Sequence, residues 1–254
     1  MAKKFLGILG GMGSEAGSCL LQRVIHHTPA RTDQQHLEIM LYSNPGIPDR
    51  TASILNQGPP AEPELVRSVK LLERAGVECI IIGCVTSHHY VESLRQQVRP
   101  PILSVIEETA EHIVTAHPGR RRIGVLATTG TIRAEVFQLE FRRRALETVL
   151  LPDTDHQRLV MGSIYGDRGI KAGCLDDRNR EMLLEASRML VEDGAQAIVA
   201  GCTEIPLVLS GEVFGVPVID TIDVLARGAV RFCNQETRRE ADNQPEILLA
   251  LGDE

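Results

Sequence analysis

Cys84 and Cys202 each stand directly after a glycine at the end of an apolar run, and the residues leading to them nearly repeat. Residues 72–84 read LERAGVECIIIGC, and residues 190–202 read LVEDGAQAIVAGC. Leu72 matches Leu190, Gly76 matches Gly194 and Cys84 matches Cys202, all at an offset of 118 residues. Each copy runs from the end of an amphipathic helix, through a glycine, into a buried strand that stops at Gly-Cys. Folds that alternate strands and helices place their working residues just past the carboxyl ends of such strands. A duplicated half with a thiol at each strand tip can set two sulfur acids face to face across one cleft. That arrangement suits chemistry in which a proton leaves one face of a carbon and returns to the other.

One Gly-Cys after a strand reads more simply as a small core residue, so the matched pair is what argues for chemistry. If the loops Cys84-Val85-Thr86-Ser87 and Cys202-Thr203-Glu204 open helices, their N–H groups lower the thiol pKa and cradle an anion. Cys79 inside a strand, Cys19 and Cys233 in helices, and Cys174 in a turn read as packing residues. The six cysteines form no CxxC and are expected to be reduced thiols. His88 and His89 lie near Cys84 without a further close-spaced ligand set, so no metal site is expected. Arg50, closing NPGIPDR, and Lys171, in GDRGIKAG, could together hold a carboxylate, one as a fixed fork and one as a point charge. Either alone would read as a solvated surface charge. Gly11–Ala16 fits GxGxxA after a strand, a partial dinucleotide fingerprint. The next strand ends Tyr42-Ser43-Asn44, without an acid for a ribose, and a glycine turn that lets substrate approach explains the same residues.

The elements that must position these groups alternate. FLGILG (5–10), LEIMLYS (37–43), CIIIGC (79–84) and PILSV (101–105) read as strands of the first half, with helices near 15–26, over Leu65, Val69 and Leu72, and near 91–97. In the second half RRIGVLATTGT (121–131) echoes FLGILGGMG, with Gly124 lying 117 residues after Gly7. VPVIDTIDVLA (216–226) echoes PPILSVIEETA (100–110), with Pro217 lying 116 residues after Pro101. Continuous apolar strands between amphipathic helices imply an α/β fold whose parallel sheets are covered on both faces. Duplication then implies two pseudo-symmetric lobes with a ligand cleft between them. The expected division is a first lobe of 1–105 plus 219–235, a second lobe of 106–218, and a mobile acidic tail over 236–254.

Composition narrows the function. The chain has 254 residues, 43% hydrophobic and 24% charged, which is ordinary for a soluble globular protein. Its net charge of −7 is concentrated at the end, where 236–254 carry six acids against two arginines. With 3% aromatic residues and no Trp, stacking platforms for bases are nearly absent, and no nucleic-acid partner is expected. No apolar run approaches the ~20 residues that span a bilayer. Phe5–Leu9 is too short for the core of a secretion signal. A cytoplasmic protein with no membrane partner is expected.

The segments LGILGGMGSEA, NPGIPDRT, IIGCVTSHH, LATTGTI, GIKAG, GCTEIPL and VIDTIDVLA run in this order over roughly residues 5 to 232. In that order they resemble the cofactor-independent aspartate/glutamate racemases, and the aspartate branch in particular. The resemblance implies that Cys84 and Cys202 are the catalytic thiols and that Arg50 and Lys171 hold carboxylate. It places Met12, Val85, Thr86, Thr131 and Thr203 against the substrate. It further implies a homodimer, a small acidic amino acid as ligand, and neither pyridoxal phosphate nor metal. Two positions depart from the family pattern. GCNT reads Gly83-Cys84-Val85-Thr86, which replaces an amide by an apolar group, and GMGP reads Gly11-Met12-Gly13-Ser14.

The expected reaction interconverts L- and D-aspartate, with glutamate second, by two-base proton transfer at Cα. Cys84 and Cys202 exchange the roles of base and acid. Val85 keeps two alternatives open: a dicarboxylate isomerase or decarboxylase on the same scaffold, and a ligand-binding relative without turnover. A nucleotide-dependent oxidoreductase has only the partial glycine fingerprint in its favour.

Overall fold

Two copies of one strand–helix plan build two sheets. The computed structural model describes residues 3–234, so the acidic tail expected over 236–254 lies outside the described residues. The first half holds β1 (Leu6–Gly10), α1 (Ser14–His27), β2 (Ile39–Ser43), α2 (Arg50–Ile54), α3 (Glu62–Arg74), β3 (Cys79–Ile82), α4 (Val91–Arg95) and α5 (Val105–Ala116). The second begins with β4 (Arg122–Ala127), α6 (Thr129–Arg133), α7 (Val136–Arg143), β5 (Glu147–Val149), α8 (Asp153–Asp155) and α9 (Gly162–Tyr165). It continues with α10 (Asp177–Glu192), β6 (Ala197–Gly201), β7 (Glu212–Val213), β8 (Val216–Asp220) and α11 (Thr221–Cys233). The sheet orders are β2-β1-β3 and β5-β4-β6-β8-β7, parallel throughout except for the β7–β8 hairpin.

The repeat read from the sequence persists in register and in backbone turns. Gly7 pairs with Ile80 in the first sheet, and Gly124 pairs with Ile198 in the second. Before each thiol strand the helix is stopped in the same way. Gly76 and Gly194 take left-handed backbone, φ +89° and +88°. The N–H of Gly76 donates to Glu73 O and that of Val77 to Leu72 O; Gly194 donates to Val191 O and Ala195 to Leu190 O. These paired bonds satisfy the last carbonyls of α3 and α10 and turn the chain into the strand.

The halves differ where the sequence reading expected a fourth strand, PILSV. In the first half that segment makes one bridge, Ile80 with Ile102, held by Ile80 N–H to Pro101 O and Leu103 N–H to Ile80 O. Pro100 and Pro101 supply no amide hydrogen, and Ser104 already caps α5 through Glu107 N–H, so no ladder continues. Its counterpart β8 is a full strand, and Asp220 caps α11 through Ile222 and Asp223 N–H. The sequence reading also omitted β5 and β7, which have only three and two residues.

Helices join the two sheets. One hydrophobic cluster takes residues from both halves, including Leu6, Ile81, Val85, Val105, Val125, Phe137, Ile222 and Leu225. Helix α11 follows the second sheet yet packs against α1 and α5 of the first half. At the cleft α2 meets α6, where a methyl on Gly130 would lie 2.8 Å from Thr51 Cα and 3.0 Å from Thr86 Cγ2. Backbone against backbone leaves no side-chain rotation to relieve that clash. Gly130→Ala is therefore expected to destabilise the protein by about 1–3 kcal/mol, read as a lower urea midpoint with unchanged slope.

Candidate active site

The two strand tips deliver their thiols into one buried cluster of charges. Cys84 follows β3 by one glycine, Cys202 follows β6 directly, and each is 4% exposed. The Arg50 guanidinium stands beside Cys84, and the Lys171 ammonium lies near both sulfurs. The structure thus brings together the four residues that the sequence singled out from both halves.

Arg50 opens α2, and its side chain turns back onto the loop before it. Its Nη1 donates to Ile47 O at 3.3 Å and Pro48 O at 3.1 Å, and Nη2 donates to Met12 O at 3.0 Å. Nε is buried without a hydrogen-bond partner. Burial works against the guanidinium charge, but Cys84 beside it raises the pKa further above its ordinary value. Lys171 reaches across from the second half, with Nζ donating to Met12 O at 3.1 Å and to Glu204 Oε1 at 2.7 Å. Burial would lower its pKa, yet Glu204, Cys202 and Cys84 around the ammonium raise it.

Glu204 is the residue that sequence reasoning passed over. It is 3% exposed and takes four donors: Gly13 N–H at 3.0 Å, Lys171 Nζ, Cys202 Sγ at 2.9 Å and Thr203 Oγ1 at 3.2 Å. Burial opposes ionisation, but Lys171 and these hydrogen bonds hold the carboxyl below its ordinary pKa. Cys202 goes the other way: burial first, then the neighbouring Glu204 charge, push its thiol well above the ordinary value. The sequence reading expected helix N–H groups to lower it. The turn after Cys202 is a three-residue 3-10 helix, Ile205–Leu207, and burial together with the carboxylate outweighs it.

The remaining candidates divide. Thr86 Oγ1 lies 2.9 Å from Thr128 Oγ1 and 3.0 Å from Thr131 Oγ1, and those two are 3.1 Å apart. The three buried hydroxyls close a ring, which consumes one donor from each. Val85 is 1% exposed and belongs to the cluster shared by the two halves. Tyr165, not foreseen, crosses the cleft to donate to Asp49 Oδ2 at 2.8 Å. His88 is also buried. Its Nδ1 lies 2.9 Å from Cys84 O, and its Nε2 accepts Val105 N–H at 3.1 Å.

A cavity of about 640 Å³ opens beside the charges, lined by Gly11–Glu15, Arg50, Ile170–Gly173, Leu175, Glu204 and Leu207. Neither thiol lines it, whereas their charged neighbours Arg50, Lys171 and Glu204 do. Among the described residues no group of three His, Cys, Asp or Glu side chains is placed to hold a metal ion. No described helix is long and apolar enough to cross a membrane.

This layout has counterparts. Residues 9–229 match the profile of the Asp/Glu/Hydantoin racemase family. The chain belongs to that family. The racemase is 27% identical over 229 residues to a broad specificity amino-acid racemase of Bacillus subtilis (strain 168), covering 89% of this chain and 96% of that protein. The structure of the Picrophilus torridus aspartate racemase superposes with a TM-score of 0.78 at 26% identity, over 94% of this chain and 98% of that one. A glutamate racemase from Francisella tularensis subsp. tularensis, solved with D-glutamate, shares the fold at a TM-score of 0.68 and 17% identity, over 91% and 80% of the two chains. The protein is accordingly an isomerase of the racemase type.

His88 makes the site region sensitive to acid. Burial lowers its pKa to about 4, with its bonds to backbone carbonyls and nearby Glu107 partly opposing and Arg95 assisting. A histidine depressed on folding contributes its full stability above the unfolded value near ~6.5 and loses it as pH falls toward the folded one. The stability advantage of wild type over His88→Asn should therefore shrink between about pH 6.5 and 4, by up to roughly 3 kcal/mol at 1.36 kcal/mol per unit. Urea unfolding of both proteins across that range measures it.

Proposed function

We propose that this racemase interconverts the enantiomers of an acidic amino acid, aspartate first and glutamate second, with Cys84 and Cys202 as the two bases. The observation that carries the substrate class is the unequal pairing of the two cations. Lys171 is paired with Glu204, whereas among the described residues the buried Arg50 guanidinium has no carboxylate partner. An acidic amino acid brings a second carboxylate that can pair with Arg50, whereas a neutral one brings only its α-carboxylate. Arg50 and Lys171 hold carboxylate in this reading, and Met12, Val85, Thr86, Thr131 and Thr203 surround the ligand. The cleft lies between a first lobe of 1–105 plus 219–235 and a second of 106–218, and the working unit is a homodimer.

The Cα proton beside a carboxylate is a very weak acid, so the site must stabilise the enediolate that forms. Donors aimed at the developing charge supply that stabilisation. Arg50 Nε and the threonine hydroxyls, once released from their ring, are such donors. Cys202 holds its proton toward Glu204, so it begins as the acid and Cys84 as the base. Cys84 takes the Cα hydrogen as a proton and leaves the electron pair on the enediolate. Cys202 then delivers its proton to the opposite face. Reversal of the pair runs the other direction, with no pyridoxal phosphate or metal in the scheme.

A broader substrate range is the second reading. A cavity of about 640 Å³ with Met12, Ile170, Leu175 and Leu207 in its wall exceeds what a four-carbon acid fills. Incubation in D2O separates the two. Aspartate should gain deuterium at Cα and lose optical rotation, far faster than alanine or leucine. Cys84→Ala and Cys202→Ala should each lower racemisation by about 10²-fold or more. Absence of exchange with both aspartate and glutamate contradicts the acidic substrate, and full activity in either single variant contradicts the two-base mechanism.

A further inference from the structure

We infer that His88 is a positioning residue for the first thiol: its imidazole ties the Cys84 carbonyl to the first turn of α5. The inference rests on Cys84 acting at Cα, but two of its tests read the thiol turn without turnover. Its geometry fixes the tautomer. Val105 N–H can only donate, so Nε2, at 3.1 Å, must accept and carries no proton. The proton then sits on Nδ1, which donates to Cys84 O at 2.9 Å, an atom that can only accept. Ser87 Oγ donates to the same carbonyl at 2.7 Å. Two donors on one carbonyl fix the peptide that follows Cys84 and, through it, the direction of the Cα–Cβ bond toward Arg50.

The anchor at the other end is firm. Val105 is the first residue of α5, which Ser104 caps and which packs on α11. The repeat offers no second such device, because the position 118 residues after His88 is Pro206. Cys202 is instead held at its sulfur by Glu204. The two thiols are therefore placed by different means, one through its carbonyl and one through its Sγ. Loss of His88 should disturb one face of the substrate carbon and spare the other. Misplacement of a reacting group by an ångström costs on the order of 10²-fold in rate.

The tests use wild type, His88→Ala and His88→Asn, whose amide N–H can restore the bond to the Cys84 carbonyl. In wild type, nitrogen-15 correlation spectra should show protonated Nδ1 and unprotonated Nε2; the opposite tautomer would overturn the inference even if neither variant folds. In His88→Ala, deuterium wash-in from the aspartate enantiomer deprotonated by Cys84 should fall about 10-fold or more beyond that from the other enantiomer. Peptide-resolved alkylation should change at Cys84 and stay constant at Cys202, and His88→Asn should recover most of both effects. Equal losses at both thiols and from both enantiomers would mean a structural role alone and overturn the proposal. If wild type exchanges no acidic amino acid, the functional reading fails, while the tautomer and alkylation results still decide the placement of Cys84.

Discussion

Everything near the cleft depends on keeping the Glu204 carboxylate ionised while it is almost wholly out of water. Withdrawing such a charge costs several kcal/mol, and only good partners offset it. Here there are four, from separate parts of the chain: the residue just before α1, the loop carrying Lys171, and the two residues just before Glu204. Gly13 belongs to the first half and the others to the second, so satisfying one carboxylate draws the halves together. Met12 O does the same from the opposite sign, accepting from both Arg50 and Lys171. Removal of any member would leave a buried charge or donor uncompensated, which is worse than never having buried it.

The duplication explains why two thiols meet, and its imperfections explain why they differ. Matched glycines stop matched helices, matched strands pair in matched register, and each strand ends at Gly-Cys. Within that symmetry the sulfurs have unlike neighbours. Cys84 faces the Arg50 guanidinium, whereas Cys202 faces a carboxylate that keeps its proton in place. A pair of acids with unlike surroundings is what assigns one as proton donor and the other as acceptor at a given moment.

Much of this was legible in the sequence because it is local or periodic. Strand tips, helix stops and the offset between the copies follow from apolar runs and glycines, and Arg50 and Lys171 followed from a family resemblance. What escaped depends on partners distant in the chain. Lys171 and Glu204 are 33 residues apart, and their pairing appears only when the cleft forms. β5 is too short to announce itself and exists because β4 offers it an edge. PILSV looked like a strand by composition, but prolines and a helix cap limit it to one bridge. Val85 stands beside Cys84 in the chain, and its burial in the cluster shared by the two halves is likewise not written in the local sequence.

The ionisation of Cys202 tests the Glu204 constraint most directly. The carbon-13 shift of its Cβ, followed across pH in wild type and Glu204→Gln, reports thiol against thiolate without turnover or access by a reagent. In wild type the inflection should lie well above the ordinary thiol value near ~8.5. In Glu204→Gln, with Lys171 left unopposed, it should fall clearly. A wild-type inflection at or below the ordinary value, or one that Glu204→Gln does not move, would contradict the account.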